Sequence, residues 1–341
     1  MTPARHSRRG LVIPFAIVGL LLAAWTGWWF WLAGQIETRL AAQEALLEAD
    51  GWRIEHEPAS VTGWPFRTRV ALPQARITAP SGHAVQAAEL VAEANAWNPG
   101  RWVVIAPEGL TLTRADKGQV RIEGPALRLS VSGLRARFPD LRAEMVEPVF
   151  TPLAGAEPFP IASAARIEFY TRPHGEGGTD EMDVLFRMIE ARGRPGGPVE
   201  GATQQGRLSL QIEATIEQAS RLRGVDSAGV FANWTAAGGR FTAVKGRLQA
   251  GESSARLASE ALSAREDGRL EGELALTAER PGEAMAGLAG SRSGAVNRAA
   301  AAGAAAAAGV QGDRPMDLTL RFSDGRTWLG PFALAPAPKL F

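Results

Sequence analysis

Histidine is the side chain best suited to acid–base catalysis and zinc binding near neutral pH, and this sequence has few. The histidines are His6, His56, His83 and His174. No pair has the i,i+4 or HExxH spacing that places two ligands on one helical face. We therefore predict no metal site, and we interpret His56, which alternates with apolar neighbours, as an outward-facing strand residue.

Nucleophile and cofactor motifs do not occur in the sequence. It has no GxSxG turn, no GxxxxGK[ST] phosphate loop, no GxGxxG at the start of a helix and no cysteine. Without cysteine the chain has neither disulfides nor thiolate nucleophiles. An acidic cluster at residues 179–183 lacks the donor spacing of a calcium loop and is interpreted as a solvated turn. The sequence thus predicts no catalytic residue and no cofactor.

The charge balance argues against nucleic acid as a partner. The formal net charge is +1, and the residues before the apolar N-terminal segment include arginines but no acid, so the rest has a slight acidic excess. Nucleic-acid-binding proteins need a basic face that neutralises phosphates and releases counterions. With 341 residues, 45% of them hydrophobic, the chain can bury one large core or two smaller ones.

An uncharged apolar segment near the N-terminus is the strongest signal in the sequence. No charged residue occurs between Gly10 and Ile36, and residues 11–34 exceed the ~20 residues that cross a ~30 Å hydrocarbon core. Tryptophans lie at its far end, where indole rings favour the headgroup region. They are Trp25, Trp28, Trp29 and Trp31. A cleaved signal peptide is the weaker alternative, because such a segment is shorter and ends in small residues.

The residues around this segment predict its orientation. Residues 1–10 form a basic tip, which the positive-inside rule places in the cytoplasm. Residues 11–34 are the transmembrane anchor, residues 35–51 an amphipathic membrane-proximal helix ended by Gly51, and residues 52–341 a periplasmic domain. The prediction is a single-pass inner-membrane protein.

Alternating apolar residues predict that the outer domain consists mainly of strands. Leu127 and Leu129 lie on one face and Arg128 on the other, and similar runs recur with short Gly and Pro turns between them. We predict a mainly β class with a few helices (α+β): one transmembrane helix, then a long, curled antiparallel sheet with one concave apolar surface. The expected helices of the domain lie at residues 84–94, near residues 218–234 and at residues 281–308.

Two further segments stand out by composition. Residues 192–201 are rich in Gly and Pro and are the best linker between two related halves of the domain. Residues 290–314 include a nearly pure alanine tract. Alanine has the highest helix propensity but offers little side chain to bury, so a loosely packed helix and a disordered excursion are both open.

One short motif combines a glycine, aromatic residues, a proline and an arginine. It consists of Gly63, Trp64, Pro65, Phe66 and Arg67. In the structural interpretation, which we favour, Gly63 allows a bend, Pro65 fixes the backbone and both rings are buried as staples against the preceding helix. In the functional interpretation Trp64, Phe66 and the nearby arginines contact the membrane, since the motif lies within ~30 residues of the anchor.

The motif resembles the Gly-aromatic-Pro-Phe-Arg signature near the start of an uncharacterised Gram-negative envelope family, DUF2125. Residues 320–334, with Asp-Gly-Arg at 324–326 and Leu-Gly-Pro at 329–331, are similar to the last strand pair of that family. The order of anchor, helix, motif and strand-rich body is similar over almost the whole chain. A more distant resemblance, in architecture alone, is to AsmA-like inner-membrane proteins, whose periplasmic parts are implicated in moving or organising envelope lipids.

These features predict a non-enzymatic envelope protein whose apolar sheet surface contacts or transfers lipids. Its partners would be membrane lipid through the anchor, and either a lipid-like ligand or another envelope protein. The alternative is a scaffold whose sheet edge pairs with another protein and binds no ligand. An enzyme is the weakest interpretation, because the sequence has no arrangement of reactive residues and the resembled family implies no activity.

Overall fold

The computed structural model describes residues 9–134, 136–175, 179–224, 226–310 and 314–340. Most of the predicted basic tip lies outside the described residues. A long helix, α1 (Arg9–Ala49), comes first among the described residues and strands dominate the remainder, which confirms the predicted class. The helices that follow are α2 (Pro198–Thr203), α3 (Ser227–Ala236), α4 (Pro281–Ala289) and α5 (Arg298–Gly309).

Among the described residues, twenty strands form one antiparallel sheet. They are β1 (Arg53–Glu55), β2 (Ser60–Thr62), β3 (Arg67–Thr78), β4 (Ala84–Asn95), β5 (Asn98–Ile105), β6 (Leu110–Arg114), β7 (Gly118–Glu123), β8 (Ala126–Ser132), β9 (Asp140–Val146), β10 (Val149–Pro152), β11 (Ile161–Ser163), β12 (Arg166–Pro173), β13 (Glu181–Gly193), β14 (Leu208–Glu217), β15 (Arg240–Ala250), β16 (Ser253–Ala264), β17 (Leu270–Glu279), β18 (Met316–Ser323), β19 (Arg326–Leu329) and β20 (Phe332–Pro336).

The sheet is a meander of long strands, some of which are interrupted near their middle. The strand β4 pairs with β5 along one half and with β6 along the other, and β13 pairs in the same way with β12 and β11. Between them, β5 with β6, β7 with β8, β9 with β10, and β11 with β12 each act as one long strand. Neighbours in the chain are therefore neighbours in the sheet.

Prolines explain most of these interruptions. Pro107, Pro125 and Pro148 lie in the breaks of three successive long strands. Proline has no N–H to donate to a ladder, so pairing stops at the same level in each strand and the sheet can bend there. A Cβ at Gly124 would lie 2.6 Å from the carbonyl oxygen of Val146, so the backbones approach closely along this line.

The helix predicted at residues 84–94 is wrong, because these residues form the strand β4. The strand pairs with β3 over nearly its full length, and the long strand made of β5 and β6 covers its other edge. Ala84, Ala87, Val91 and Ala94 are buried. The helix propensity of alanine, under ~1 kcal/mol per residue, is outweighed here by pairing along both edges.

The other predicted helices are present in modified form. The helix α3 lies close to the predicted position near residues 218–234, and the single helix predicted at 281–308 is divided into α4 and α5. The alanine tract forms α5, whose N-terminus is capped by the Asn297 side chain accepting from the amide of Ala300 at 3.2 Å. Ala301 and Ala304 are buried, so this helix is packed.

Residues 192–201 contain the end of β13, a turn and the start of α2. The strands β13 and β14 pair with each other on either side of this segment. The sheet therefore continues past it, and the division of the domain into two related halves stays a prediction.

Candidate functional site

The middle of α1, from Trp25 to Ile36, docks on the domain, whereas its first described apolar turns are exposed. The indole N–H of Trp25 donates to the carbonyl oxygen of Pro65 at 2.8 Å, and that of Trp29 donates to the carbonyl oxygen of Arg67 at 2.8 Å. The docking cluster consists of Trp29, Leu32, Ala33 and Ala96, with Trp25, Ile36 and Val61 at its margin. The helix and the motif are thus tied together through the motif backbone.

Gly63 has the turn role predicted for it. Its φ of +105° lies in the region that favours glycine, and a Cβ there would lie 2.8 Å from the carbonyl oxygen of Arg67. The peptide bond between Trp64 and Pro65 is cis. The tight turn closes with a hydrogen bond of 2.9 Å from the amide of Arg67 to the carbonyl of Gly63.

The expectation that the two aromatic rings of the motif are buried is wrong. The side chains of Trp64 and Phe66 are 48% and 63% exposed. Because the contact with α1 uses the carbonyl groups of the motif, its rings are directed elsewhere. They form what we call the aromatic tip: Trp64, Phe66 and Trp97, with Trp97 61% exposed and its ring centroid 6.4 Å from that of Phe66.

Trp97 was missed by the sequence interpretation. It lies in the turn between β4 and β5, and the erroneous helix prediction at residues 84–94 concealed that turn. The four tryptophans of α1 also divide into two pairs. Trp25 and Trp29 face the domain, whereas Trp28 and Trp31 are exposed, with ring centroids 4.9 Å apart.

One face of the sheet is apolar along its whole length. A line of directly paired residues, which we call the apolar row, crosses it from β2 to β18. The row consists of Val61, Val70, Ala92, Val104, Leu129, Ala143, Phe169, Phe186, Ile212, Gly246, Leu257, Leu276 and Leu318. The alternating apolar residues of each strand therefore lie on one face, as predicted, and those of neighbouring strands are paired in register across the sheet.

The apolar row is covered at both ends and open near its middle, since Val70 near its start is 5% exposed. At the far end Leu318 packs with the cluster of α5 and β19. In the middle, Leu129 and Phe169 are 39% and 38% exposed. At Gly246 the side chains of Leu257 and Ile212 fill the space that a side chain would occupy. A Cβ there would lie 2.8 Å from the Leu257 Cδ1. The row thus stays continuous through the glycine.

The opposite face of the sheet is charged and carries a cavity of about 1020 Å³. Side chains of both signs line it, including Arg101, Arg142, Asp183, Glu213 and Lys245. The sequence interpretation of one concave apolar surface did not anticipate a polar hollow on this face.

Two glutamates on the charged face are buried next to each other. Glu144 and Glu168 are paired across β9 and β12, and each is 2% exposed. Glu144 accepts from the Nε of Arg128 at 2.8 Å. Arg166 Nη1 lies 3.4 Å from Glu144 and 3.7 Å from Glu168, so it bridges the two carboxylates.

Glu168 has a dense set of donors around it. It accepts from the Nε of Arg187 at 2.6 Å and from the hydroxyl of Tyr170 at 2.9 Å. Burial alone would raise the pKa of Glu168, but these hydrogen bonds and the charges of Arg187 and Arg166 outweigh it and hold the pKa below its usual value. Glu168 is therefore ionised at neutral pH and is not poised to donate a proton.

His56 contacts the helix α1 and the backbone of the residue that follows it. His56 Nε2 lies 2.9 Å from the Glu44 carboxylate, and its Nδ1 lies 2.6 Å from the Glu57 carbonyl. The hydrogen bond to Glu57, together with Glu44, outweighs burial and raises the pKa of His56. His56 thus links the end of β1 to α1. Within the part of the chain that the structure describes, no three His, Asp or Glu side chains are arranged to hold a metal ion.

The acidic turn has a structural contact that the sequence did not reveal. The carboxylate of Asp180 accepts from the amide of Ser220 at 2.8 Å and from its hydroxyl at 2.7 Å. Asp183 lies 2.6 Å from His174 Nδ1 and accepts from Thr215 at 3.1 Å. These carboxylates therefore join the start of β13 to the adjacent connections and strands.

Comparison with known proteins finds a matching protein family. A family model described as an uncharacterized protein conserved in bacteria (DUF2125) matches residues 29–338. The matched range begins inside α1 and includes the motif, the aromatic tip and the whole apolar row. No curated protein and no solved structure matches the chain.

Proposed function

The chain belongs to the DUF2125 family of bacterial proteins, and we propose that it is a membrane-anchored envelope protein whose apolar sheet face binds lipid acyl chains. In this proposal α1 crosses the inner membrane, the basic tip is cytoplasmic and the sheet is periplasmic. The protein acts by binding lipid and catalyses no reaction. The architectural resemblance to AsmA-like proteins agrees with such a role but is analogy.

The anchor is supported by the length and composition of α1. Within it, Val12–Ala49 is long and apolar enough to cross a membrane, and little of its most apolar part is buried in the protein. A helix that is apolar on every side and uncovered by protein is suited to a lipid environment.

The apolar row is the observation that carries the lipid proposal. At ~4.8 Å between strands, the row is on the order of 60 Å long, whereas one leaflet of hydrocarbon is about 15 Å thick. It presents no charged or hydrogen-bonding side chain, and acyl chains require none. The row begins at Val61, which packs at the margin of the docking cluster beside α1. An acyl chain leaving the bilayer beside the anchor would therefore lie next to the start of the row and would bind at its exposed middle, at Leu129 and Phe169.

The scaffold alternative is weaker because the sheet has poor edges for pairing. At one end β1 and β2 are short, with three residues each. At the other end β20 contacts α5 and finishes at Pro336. Short, covered and proline-bearing edges are features that hinder strand addition by another protein.

Photocrosslinking in cells tests the proposal. The full-length chain carries p-benzoylphenylalanine at Phe169, on the exposed part of the apolar row, or at Arg172, which is exposed on the charged face of the same strand. After irradiation, mass spectrometry of the purified protein should find phospholipid adducts at position 169 and not at position 172. A third variant carries the crosslinker at Phe15 in the exposed part of α1 and is the positive control for lipid.

Lipid adducts at position 15 with none at position 169 would overturn binding by the sheet. Adducts in equal yield at positions 169 and 172 would show non-specific contact and would also overturn it. No adduct at position 15, together with release of the protein from membranes by alkaline carbonate, would contradict the anchor itself.

A further inference from the structure

The aromatic tip is an exposed apolar surface at a defined height along α1. Its rings, Trp64, Phe66 and Trp97, project from the turns that precede β3 and β5. Large exposed aromatic groups that lie together mark an interaction surface. The position of this surface along α1, relative to the bilayer that α1 crosses, indicates the partner.

The height of the tip is set by two hydrogen bonds. Trp25 and Trp29 of α1 donate to the carbonyl groups of Pro65 and Arg67, the residues on either side of Phe66. The amide of Ala96, next to Trp97, donates to the carbonyl of Phe66 at 3.0 Å. The tip is therefore level with the turn of α1 from Trp25 to Trp29.

That turn coincides with the end of the hydrocarbon core. At 1.5 Å per residue a helix needs ~20 residues to cross a ~30 Å hydrocarbon core. A span that begins at Gly10, directly after Arg9, therefore ends near Trp29. The exposed stretch of α1 before Trp25 is too short to cross the core alone. The bilayer must then reach the docking cluster, and the tip beside it meets the headgroup boundary.

Arg67 and Arg69, the arginines of the motif and beside it, are paired within the protein. Arg67 Nη1 lies 3.3 Å from Glu93, and Arg69 Nη2 lies 3.5 Å from Glu89. Attraction to anionic lipid is therefore a minor contribution, and burial of the rings is the main one. Indole and phenyl rings favour the headgroup boundary, and two further exposed tryptophans of α1 lie at this level: Trp28 within the turn from Trp25 to Trp29, and Trp31 just after it.

We propose that the aromatic tip is a second membrane contact, seated in the headgroup region of the bilayer that α1 crosses, on the side of the domain. This rests on the proposed function, since it requires α1 to span. The contact holds the first strands of the sheet at the bilayer surface, so that the apolar row starts next to the membrane.

Fluorescence quenching tests the contact, and a chain without cysteine suits it. Asn98→Cys places an environment-sensitive label beside the tip and leaves its three rings in place, because Asn98 is exposed at the start of β5. The full-length protein is reconstituted in phosphatidylcholine vesicles that contain nitroxide lipids with the quencher near the headgroup. Quenching at position 98 should exceed, several-fold, that at Asp116→Cys, which is exposed at the opposite end of the joined β5 and β6 strand.

A variant and a reference site separate the possible outcomes. Adding Phe66→Ser to the Asn98→Cys protein should reduce lipid quenching and increase quenching by aqueous iodide, with little effect of salt. The label at Phe15→Cys reports the span. If position 15 is quenched by lipid and position 98 is not, the tip proposal is overturned and the anchor stands. Protection of position 98 from both quenchers would indicate that the tip packs against a second copy of the chain and would also overturn the proposal. No lipid quenching at position 15 contradicts the anchor.

Discussion

Replacement of Glu168 by glutamine should weaken the fold in a pH-dependent way. Glutamine keeps the shape of the side chain but removes the charge that accepts from Arg187 and Tyr170 and faces Arg166. Hydrogen bonds to a charged group contribute about 1.5–3 kcal/mol. Removal of the charge also relieves repulsion from the paired Glu144, by about 0.5–1 kcal/mol. The expected net loss at neutral pH is therefore about 1–2 kcal/mol.

The sign of the pH dependence follows from the lowered pKa of Glu168. Burial raises this pKa, but the hydrogen-bond donors and arginine charges around the carboxylate lower it by more. A carboxyl group whose folded pKa lies below its unfolded value of about 4.3 stabilises the fold above that value. This contribution is lost as the pH falls through the folded pKa. The glutamine variant cannot titrate, so the difference in unfolding free energy between wild type and variant should be constant near neutral pH and shrink in acid.

Urea unfolding of the full-length protein in detergent micelles, followed by tryptophan fluorescence at several pH values, measures that difference. Glu266→Gln is the matched control, because Glu266 is exposed in the turn between β16 and β17 and its replacement should change stability by less than about 0.5 kcal/mol. A Glu168→Gln difference that is absent at neutral pH, or that persists unchanged in acid, would refute the reasoning.

Two further predictions concern the packing of the helices. Gly303→Ala in α5 would place a Cβ 2.5 Å from the Phe332 ring and should destabilise the fold by about 1–3 kcal/mol, whereas Gly309→Ala meets open space and should stabilise it by up to about 1 kcal/mol. The melting temperatures should move in opposite directions, and a shift in the same direction would contradict packing of the alanine tract. Trp234 is fully buried and its indole donates to the Glu217 carbonyl at 2.7 Å, so Trp234→Ala should cost about 3–5 kcal/mol in urea unfolding. A loss below about 1 kcal/mol would show that α3 is not part of the core.

The aromatic motif shows where reasoning from the sequence stops. The types of its residues indicated a turn with two rings near an anchor, and the turn at Gly63 is present. The direction of the rings depends on Trp25, which lies 40 residues from Pro65 in the chain and binds its carbonyl. Trp97, which completes the tip, is remote from the motif in sequence as well. Local patterns carry no information about such distant contacts.

The charged face gives a second example. The alternation of apolar residues with Arg and Glu was visible in each strand and correctly indicated two-faced strands. The burial of Glu144 beside Glu168 was not visible in the sequence. It depends on the register between β9 and β12 and on three arginines from three strands: Arg128, Arg166 and Arg187. Register is a property of pairs of strands, and a single strand sequence does not contain it.

Elements with a strong period or extreme composition were determined by the sequence alone: the apolar helix, the strand-rich body and the two-faced strands at Leu127 and Leu129. Periodicity and hydrophobicity act within a few residues, so they survive in any tertiary context. Tertiary structure determined that residues 84–94 form a strand, because pairing along both edges outweighs their weak helix propensity. It also brought the apolar residues of separate strands into register as one apolar row. Such outcomes depend on the summed contacts of residues far apart in the chain, and these exceed the local preferences of each segment.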